Sequence, residues 1–217
     1  MDLTHIEAKT LPEAWFLCLK ALETEKGSRV YRIDRGSYAG QQRRELDFVT
    51  VHVEYPGSRP LVPDVPSGVP APTTQEYIEG YLPYLMTGVK QANEDYTYGE
   101  DIESQIPEVI EMYRRDGHNT NQAFMAVGRR ESIKLKDPQC LRMIDTRIKD
   151  GALHFVVYFR SWDLWGGFPA NLAGIQILKE YMSSEIGVAD GELIAMSKGL
   201  HLYDYSWDLA RATLRKE

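Results

Sequence analysis

Residues 138–171, which read PQCLRMIDTRIKDGALHFVVYFRSWDLWGGFPAN, decide the fold of this chain. Two apolar, strand-like runs at 141–148 and 153–159 are separated by an Asp-Gly pair, which is typical of a tight hairpin turn. A hairpin of this length returns Arg160 to the neighbourhood of Cys140, twenty positions earlier in the chain. Because a guanidinium beside a thiol favours the thiolate at neutral pH, the stretch predicts a reactive cysteine at the open end of the hairpin.

Length and composition indicate one large globular domain, which we expect to span residues 1–217. Hydrophobic residues make up 43% and charged residues 26%, so neither disorder nor a fibre is indicated. No run approaches the ~20 apolar residues of a membrane span, and the first residues lack the pattern of a signal peptide. The formal net charge of −7 argues against a nucleic-acid-binding surface, but it permits an anionic small substrate where a few arginines converge.

The two cysteines, Cys18 and Cys140, lie in very different contexts. We therefore expect a reducing, cytoplasmic setting without disulfides. Cys18 lies on the apolar stripe of a predicted helix, together with Trp15, Leu19 and Leu22. Free cysteine behaves as a small hydrophobe, so we expect Cys18 to belong to the core.

Capping boxes, apolar spacing and turn residues predict the order of helices and strands. Thr10-Leu11-Pro12-Glu13 and Thr73-Thr74-Gln75-Glu76 mark two helix starts, and Gly27-Ser28 marks the end of the first helix. The predicted helices cover 10–27, 73–88, 102–115, 170–186 and 206–215, and the predicted strands cover 29–33, 46–55, 123–127, 141–148, 153–159 and 192–205. Helices flank the strands, so the predicted fold class is α/β or α+β with a mixed sheet.

Several chemistries lack their sequence motifs. The chain contains no paired-cysteine zinc spacing, no HExxH, no phosphate-binding GxxxxGK[ST] and no GxSxG, and its five histidines show no ligand spacing, so we expect no metal. Taken singly, the remaining candidates have ordinary structural explanations. Cys140 could fill the core, the stretch at 160–163 could be a surface ion pair or a turn cap, and His201 could be a satisfied sheet histidine. Their order and spacing together point to a function.

Cys140 is followed twenty positions later by Arg160-Ser161-x-Asp163-x-x-x-Gly167-x-Pro169-x-Asn171 and then by His201-x-Tyr203. This pattern resembles the signature of the thymidylate synthase family. Tyr98-Gly99 resembles a Tyr-Gly pair of that family, and Arg35-Gly36 resembles its N-terminal phosphate-binding loop. The resemblance covers residues 12–205 and is closest to the short archaeal-type members.

The resemblance implies a methyltransferase that converts dUMP to dTMP with a one-carbon unit from a reduced pterin. The carrier would be 5,10-methylenetetrahydrofolate or methylenetetrahydromethanopterin, without a metal. It also implies an α/β fold with a large twisted sheet, through which the protein forms a homodimer. The implied catalytic residues are Cys140, Tyr98, Glu79 and Asn171, and the implied substrate-binding residues are Arg35, Arg160, Ser161, Asp163, Gly167, Asn171, His201 and Tyr203.

Each implied role fits the chemistry of its side chain. Cys140 would add to C6 of the uracil ring, and Tyr98 would help to remove the C5 proton through ordered water. Arg160 would lower the pKa of the thiol and bind the phosphate, with Ser161 as a second donor. Asn171 would donate to O4 and accept from N3–H of uracil. The other implied roles are an acid–base carboxylate at Glu79 or Glu76, a main-chain or water contact at Asp163, and hydrogen bonds from His201 and Tyr203 to the 3′-hydroxyl.

The chain departs from the family pattern at several positions. Gln139 and Leu141 replace the neighbours that usually flank the nucleophile, and Phe159 stands where a glutamine is usual. Asn121-Gln122 occupies the place of the arginine pair that a partner subunit lends to the phosphate, and Arg115, Arg129 or Arg130 are the candidates to compensate. Only fourteen residues follow Tyr203, so the tail that closes over the pterin in the family is expected to be missing.

Two alternatives remain open at this point. The first is a pyrimidine nucleotide hydroxymethylase of the same fold, which adds water in place of hydride. Members that act on cytosine typically carry an aspartate at the Asn171 position, so Asn171 favours uracil. The second alternative is a homologue that binds a nucleotide without catalysis, which the retained Cys140 opposes.

Overall fold

The structure is a computed structural model that describes residues 1–24, 28–92 and 94–214. Within these residues the chain forms ten strands, six α-helices and two short 3-10 helices. The strands are β1 (Leu3–Ala8), β2 (Ser28–Arg32), β3 (Gln42–Leu46), β4 (Phe48–Val53), β5 (Phe124–Ala126), β6 (Leu141–Lys149), β7 (Ala152–Phe159), β8 (Trp162–Asp163), β9 (Ala189–Ser197) and β10 (Leu200–Tyr203). The helices are α1 (Leu11–Thr24), α2 (Gln75–Met86), α3 (Gly99–Ile102), α4 (Gln105–Asp116), α5 (Gly167–Ile186) and α6 (Trp207–Leu214).

Six strands form a large mixed sheet in the order β1-β4-β9-β7-β6-β5. The pairs β1/β4 and β7/β9 are parallel, and the other neighbouring strands are antiparallel. Helices α1, α4 and α5 contact strands of this sheet. The predicted fold class, a mixed sheet flanked by helices, is confirmed.

A second, four-stranded sheet has the order β2-β3-β10-β8. Strand β10 lies between β3 and β8, so residues that are distant in the sequence become neighbours. His201 is opposite Glu45 on β3 and opposite Asp163 on β8. This sheet therefore carries the C-terminal part of the candidate site to the loop that follows β7.

Two predicted long strands are each divided between the two sheets. The predicted strand at 46–55 is interrupted at Asp47, where β3 ends in the small sheet and β4 begins in the large one. The predicted strand at 192–205 is likewise interrupted at residues 198–199, between β9 and β10. All four residues of β10 are buried, so this strand is covered on both faces and lacks the alternation that marks a one-sided strand.

The central hairpin forms as its sequence predicts. Asp150 and Gly151 have φ angles of 52° and 75°, the left-handed conformation that a two-residue hairpin turn requires. Alternate residues of β7 are buried, and β6 pairs with β7 from Lys149 back to Leu141 opposite Phe159. Because register is set by the turn and by the buried face, the open end of the hairpin is fixed at Cys140 and Arg160.

Most helix boundaries lie close to the local signals, but the helix predicted at 102–115 begins at Gln105, after the short helix α3. Thr74 caps α2, since its hydroxyl accepts a hydrogen bond from the N–H of Tyr77 at 3.1 Å. Helix α5 begins three residues before the predicted start, and Gly187 ends it in a left-handed conformation. Cys18 is fully buried in α1, as predicted. The predicted end of the first helix at Gly27, and Arg215 at the predicted end of the last helix, lie outside the described residues.

Candidate active site

The open end of the hairpin brings Cys140 and Arg160 together. The main-chain N–H of Arg160 donates to the carbonyl oxygen of Cys140 at 2.8 Å. The guanidinium donates from Nε to the carbonyl oxygen of Gln139 at 3.1 Å and from Nη2 to that of Pro138. These bonds use two of the five guanidinium N–H groups. Arg160 is therefore held against the segment that leads into Cys140, with N–H groups left for a ligand.

Burial and Arg160 act in opposite directions on the thiol of Cys140. Burial raises the pKa of this thiol, and the positive charge of Arg160 lowers it. The net effect raises the pKa, because removing the thiolate from water disfavours it more than the guanidinium stabilises it. Arg160 thus acts on the thiol in the expected direction, but burial outweighs it in the ligand-free protein.

A cavity of about 810 Å³ opens beside Cys140 and is strongly basic. Six basic and three acidic side chains line it, which is a formal surplus of three positive charges in a chain of net charge −7. The basic residues are Arg29, Arg35, Arg43, Lys136, Arg160 and Lys198, and the acidic residues are Glu45, Asp95 and Asp137. Ser161 and Tyr203 also line this cavity. Such a concentration of cations suits an anionic ligand.

The loop that carries Arg35 is fastened to the segment that precedes Cys140. The main-chain N–H of Ser37 donates to the Asp137 carboxylate at 3.1 Å, and the Ser37 hydroxyl also contacts it. Gly36 has a φ of 99°, and a Cβ at this position would lie 2.8 Å from the Asp137 carboxylate. A glycine is therefore required for the loop to approach this closely.

His201 does not itself line either cavity, but its ring contacts Tyr203, which lines the basic cavity. Its Nδ1 donates to the carbonyl oxygen of Gly199 at 2.8 Å, so the other ring nitrogen carries a lone pair. Nε2 is buried and has no hydrogen-bond partner. Burial lowers the pKa of His201, which keeps the ring neutral. Tyr203 lies edge-on to this ring at 4.7 Å between centroids, and the pair is suited to a ligand hydroxyl.

Asn171 and Tyr98 line a second cavity of about 520 Å³ with aromatic walls. Tyr77, Tyr81 and Tyr84 complete most of its surface. The Tyr98 hydroxyl accepts a hydrogen bond from the N–H of Leu141 at 3.3 Å, next to Cys140. Tyr98 therefore links this cavity to the residue that follows Cys140.

Asp163 organises the turn that precedes Asn171. Its carboxylate accepts hydrogen bonds from the main-chain N–H groups of Trp165 at 3.3 Å and of Gly166 and Gly167 at 3.0 Å. A carboxylate is favourable at the N-terminus of α5, where main-chain donors have no partner within the helix. Asp163 and Gly167 thus hold the helix that presents Asn171.

Glu79 does not line either cavity. In helix α2 the residues Tyr77, Tyr81 and Tyr84 face the aromatic cavity, and Glu79 lies roughly 200° around the helix axis from Tyr77. Its exposed carboxylate accepts a hydrogen bond from Gln75 at 3.2 Å. Glu94 is the carboxylate that lines the aromatic cavity. The structure therefore does not support Glu79 as the acid–base group.

The three arginines named as replacements for the phosphate-binding pair do not line the basic cavity of their own chain. Arg115 pairs with Asp116 at 2.5 Å, Arg129 lies 3.6 Å from Asp101, and Arg130 pairs with Glu131. The basic cavity is lined instead by Arg43, Lys136 and Lys198.

Sequence reasoning missed these cations, together with Tyr81 and Tyr84 as site residues. Helical spacing could have indicated the two tyrosines, which lie three residues apart on α2. Arg43 carries no local signal, since it reaches the cavity through pairing of β3 with β10, where it lies opposite Tyr203. Across the described residues, no group of three or more histidine, cysteine, aspartate or glutamate side chains could hold a metal ion, and no helix could span a membrane.

Comparison with known proteins places this geometry in a family. The family model described as "Thymidylate synthase" matches residues 86–217. A protein of Methanococcoides burtonii named "Putative thymidylate synthase" is 32% identical and is matched over 94% of this chain and 91% of its own length. A protein of the same name from Methanosarcina acetivorans is 29% identical over the same shares. The fold matches the solved thermostable thymidylate synthase A of Bacillus subtilis with a TM-score of 0.71 at 15% identity, covering 96% of this chain and 85% of that one.

Proposed function

Because this chain belongs to the thymidylate synthase family, we propose that it is a methyltransferase that converts dUMP to dTMP with a methylene-carrying reduced pterin. The observation that carries the proposal is the basic cavity, which presents Cys140 beside a surplus of three positive charges in an acidic chain. A phosphate dianion suits the cations, and an electron-poor ring held beside them is within reach of the thiol.

The phosphate is bound by cations of one chain in this proposal. Arg35, Arg160 and Ser161 supply the contacts that the family resemblance implies, and all three line the cavity. Lys198 and Lys136 are exposed at its rim and supply the charge that Asn121-Gln122 cannot. In this proposal these cations take the role of the arginine pair from another subunit, because a dianion attracts each nearby cation.

The sugar and the base are bound on either side of Cys140. Nε2 of His201, which has no partner within the chain, accepts a hydrogen bond from the 3′-hydroxyl of the deoxyribose, and Tyr203 lies beside the same position. The carboxamide of Asn171 faces the aromatic cavity and pairs with the uracil edge. The nucleotide therefore bridges the basic and the aromatic cavities, with its ring at the thiol between them.

The chemical step begins at Cys140. The thiolate adds to C6 of uracil, so a sulfur–carbon bond forms and C5 becomes nucleophilic. Before this addition the proton of Cys140 passes to a water molecule in the cavity, and Arg160 stabilises the thiolate that is left. Tyr98 is placed to pass the C5 proton to water, and Glu94 supplies the carboxylate for proton transfer that was expected at Glu79.

The aromatic cavity fits a reduced pterin. Tyr77 and Tyr84 present ring surfaces on which a flat heterocycle can stack, and Glu94 can accept hydrogen bonds from its amino and ring N–H groups. When bound, the pterin supplies the one-carbon unit and the hydride. The volume of about 520 Å³ accommodates a bicyclic ring with its carrier arm in either 5,10-methylenetetrahydrofolate or methylenetetrahydromethanopterin.

The protein is also proposed to act as a cytoplasmic homodimer. Alternate residues of β4, β6, β7 and β9 face away from the buried side of the large sheet and include six apolar side chains: Phe48, Met143, Val156, Tyr158, Ile194 and Met196. A broad apolar sheet face of this kind is suited to a second copy of the chain. A reducing compartment keeps the Cys140 thiol available.

Release of tritium from C5 of labelled dUMP and labelled dCMP tests the function. Each nucleotide is incubated with each methylene-carrying pterin, and Cys140→Ser serves as the control. Release from dUMP that requires Cys140, with dTMP as product, is expected. Hydroxymethyl-dUMP as product would identify a hydroxymethylase, and tight dUMP binding without release would identify a non-catalytic nucleotide-binding protein.

A further inference from the structure

We propose that the indole N–H of Trp162 sets the preference of this site for uracil over cytosine by locking the orientation of the Asn171 carboxamide. The inference rests on the proposed function, since it concerns the residue that faces the base. It assigns Trp162 as a positioning residue, which acts on the base only through Asn171.

Two hydrogen bonds hold the Asn171 carboxamide from opposite sides. The Trp162 indole N–H donates to Oδ1 at 3.1 Å, and Nδ2 donates to the hydroxyl oxygen of Tyr81 at 2.8 Å. An indole nitrogen can only donate, so the atom that faces it must be the amide oxygen. A tyrosine hydroxyl can donate or accept a hydrogen bond, so Tyr81 can pair with either end of the amide. Trp162 alone therefore decides which end of the amide is the oxygen.

The indole cannot turn away from Asn171. Phe159 stacks on one side of it, with ring centroids 4.2 Å apart, and Phe168 stacks with centroids 4.4 Å apart. The main-chain N–H of Trp162 also donates to the carbonyl oxygen of Gly199 at 2.9 Å, within the small sheet. Only 2% of Trp162 is exposed, so water cannot replace its hydrogen bond. The donor is thus fixed in position before any ligand arrives.

The locked amide presents one donor and one acceptor to the aromatic cavity. After its two internal bonds, Asn171 retains one N–H on Nδ2 and one lone pair on Oδ1. Uracil offers the O4 acceptor and the N3–H donor, which match this order. Cytosine offers an N4–H donor and an N3 acceptor, which match the reverse order. A 180° rotation of the same amide would read cytosine, but it would set an amide N–H against the indole N–H.

Binding of dUMP and dCMP without pterin tests this inference, because it requires no turnover. The altered chain is Trp162→Phe, which keeps a stacked ring and removes the donor. We expect the ratio of the dissociation constant of dCMP to that of dUMP to fall about tenfold from its value in the unaltered chain. This is the effect of losing one orienting hydrogen bond. A second altered chain carries benzothienylalanine at position 162, which has the shape of tryptophan without the N–H and preserves the packing between the two phenylalanines.

Tyr81→Phe is the matched control. It removes a hydrogen bond to the same amide but leaves the donor-only indole, so we expect the dCMP-to-dUMP ratio of dissociation constants to stay within about twofold of the unaltered value. An unchanged ratio in both chains altered at position 162 would overturn the inference and leave the proposed function intact. A shift in the ratio with Tyr81→Phe equal to that with Trp162→Phe would also overturn it. Failure of the unaltered chain to bind either nucleotide would instead overturn the proposed function, and the inference with it.

Discussion

The main-chain N–H of Arg160 donates to the carbonyl oxygen of Cys140 at 2.8 Å, so the two chemically decisive residues are neighbours across the open end of one hairpin. The guanidinium continues along the same segment to Gln139 and Pro138. A ligand that binds Arg160 is therefore placed beside the thiol without any movement of the backbone.

Replacement of Cys140 by serine is expected to abolish turnover and to leave nucleotide binding intact. A hydroxyl is far less nucleophilic than a thiolate toward C6, so we expect the rate of tritium release from dUMP to fall by at least about 10³-fold. The dissociation constant of dUMP should change by less than about threefold, because the phosphate contacts remain. Cys18→Ala is the matched control and should keep full activity, and measurable turnover in Cys140→Ser would refute the assignment of the nucleophile.

The ligand-free thiol of Cys140 is expected to titrate above the ordinary cysteine range. Burial disfavours the thiolate more than Arg160 favours it, so the fraction of thiolate at pH 7 is smaller than for a free cysteine. Alkylation by iodoacetamide, followed by mass spectrometry as a function of pH, should give a midpoint higher than that of free cysteine measured alongside. Arg160→Met should move the midpoint further upward, whereas a midpoint below that of free cysteine in the unaltered protein would contradict the dominance of burial.

Loss of the rim cation Lys198 is expected to weaken binding of the nucleotide but not of the nucleoside. An exposed cation beside a phosphate dianion contributes roughly 1 kcal/mol, so Lys198→Ala should raise the dissociation constant of dUMP about fivefold. Binding of deoxyuridine should change little, and the difference between the two ligands should shrink as salt is added. Lys149→Ala is the control, because Lys149 lies at the end of β6 that is far from Cys140. Equal weakening of both ligands would show that Lys198 does not bind the phosphate.

Glu94 and Glu79 are expected to differ sharply when each is replaced by glutamine. Glu94 lines the aromatic cavity, whereas Glu79 is exposed on another face of α2. A positioned acid–base group typically contributes about 10²-fold or more, so Glu94→Gln should lower kcat by about that factor while Glu79→Gln stays near the unaltered rate. The reverse result would restore Glu79 as the acid–base residue.

A charge on the apolar face of the large sheet is expected to separate the dimer. Val156 lies in the middle of that face, on β7 between β6 and β9. Burying a single carboxylate there against a second copy is strongly unfavourable, so Val156→Glu should convert the dimer to a monomer in light scattering coupled to size-exclusion chromatography. Val89→Glu, at a residue that is 71% exposed, is the control. A monomeric unaltered protein would exclude the proposed dimer.

Local patterns predicted the parts of the site that lie close together in the sequence. The Asp-Gly turn and the alternation of buried residues set the register of the hairpin, and the register brings Cys140 to Arg160. Asp163, Gly167 and Asn171 follow within one turn and one helix start, so their placement near the hairpin could also be predicted. The division of the predicted strand at 192–205 could not be predicted, because β10 is buried on both faces and has no alternation to mark where it begins.

Glu79 is a prediction of a different kind. The family resemblance suggests a carboxylate near the second helix, whereas helical spacing places Glu79 away from Tyr77 and Tyr81. These tyrosines line the aromatic cavity and Glu79 does not, so the role of Glu79 stays a prediction for the two glutamate variants to test.

By itself, the sequence determined the hairpin, the two helix starts that carry capping boxes and the burial of Cys18, because turn chemistry and side-chain periodicity act over a few residues. The family resemblance came from the order and spacing of Cys140, Arg160 and Asn171 along the chain. The tertiary structure alone decided that the basic cavity includes Arg43 and Lys198, that Trp162 holds the oxygen of Asn171, and that burial outweighs Arg160 at the Cys140 thiol. Each of these depends on contacts between elements that are far apart in the chain, and on the loss of water from the space that they enclose.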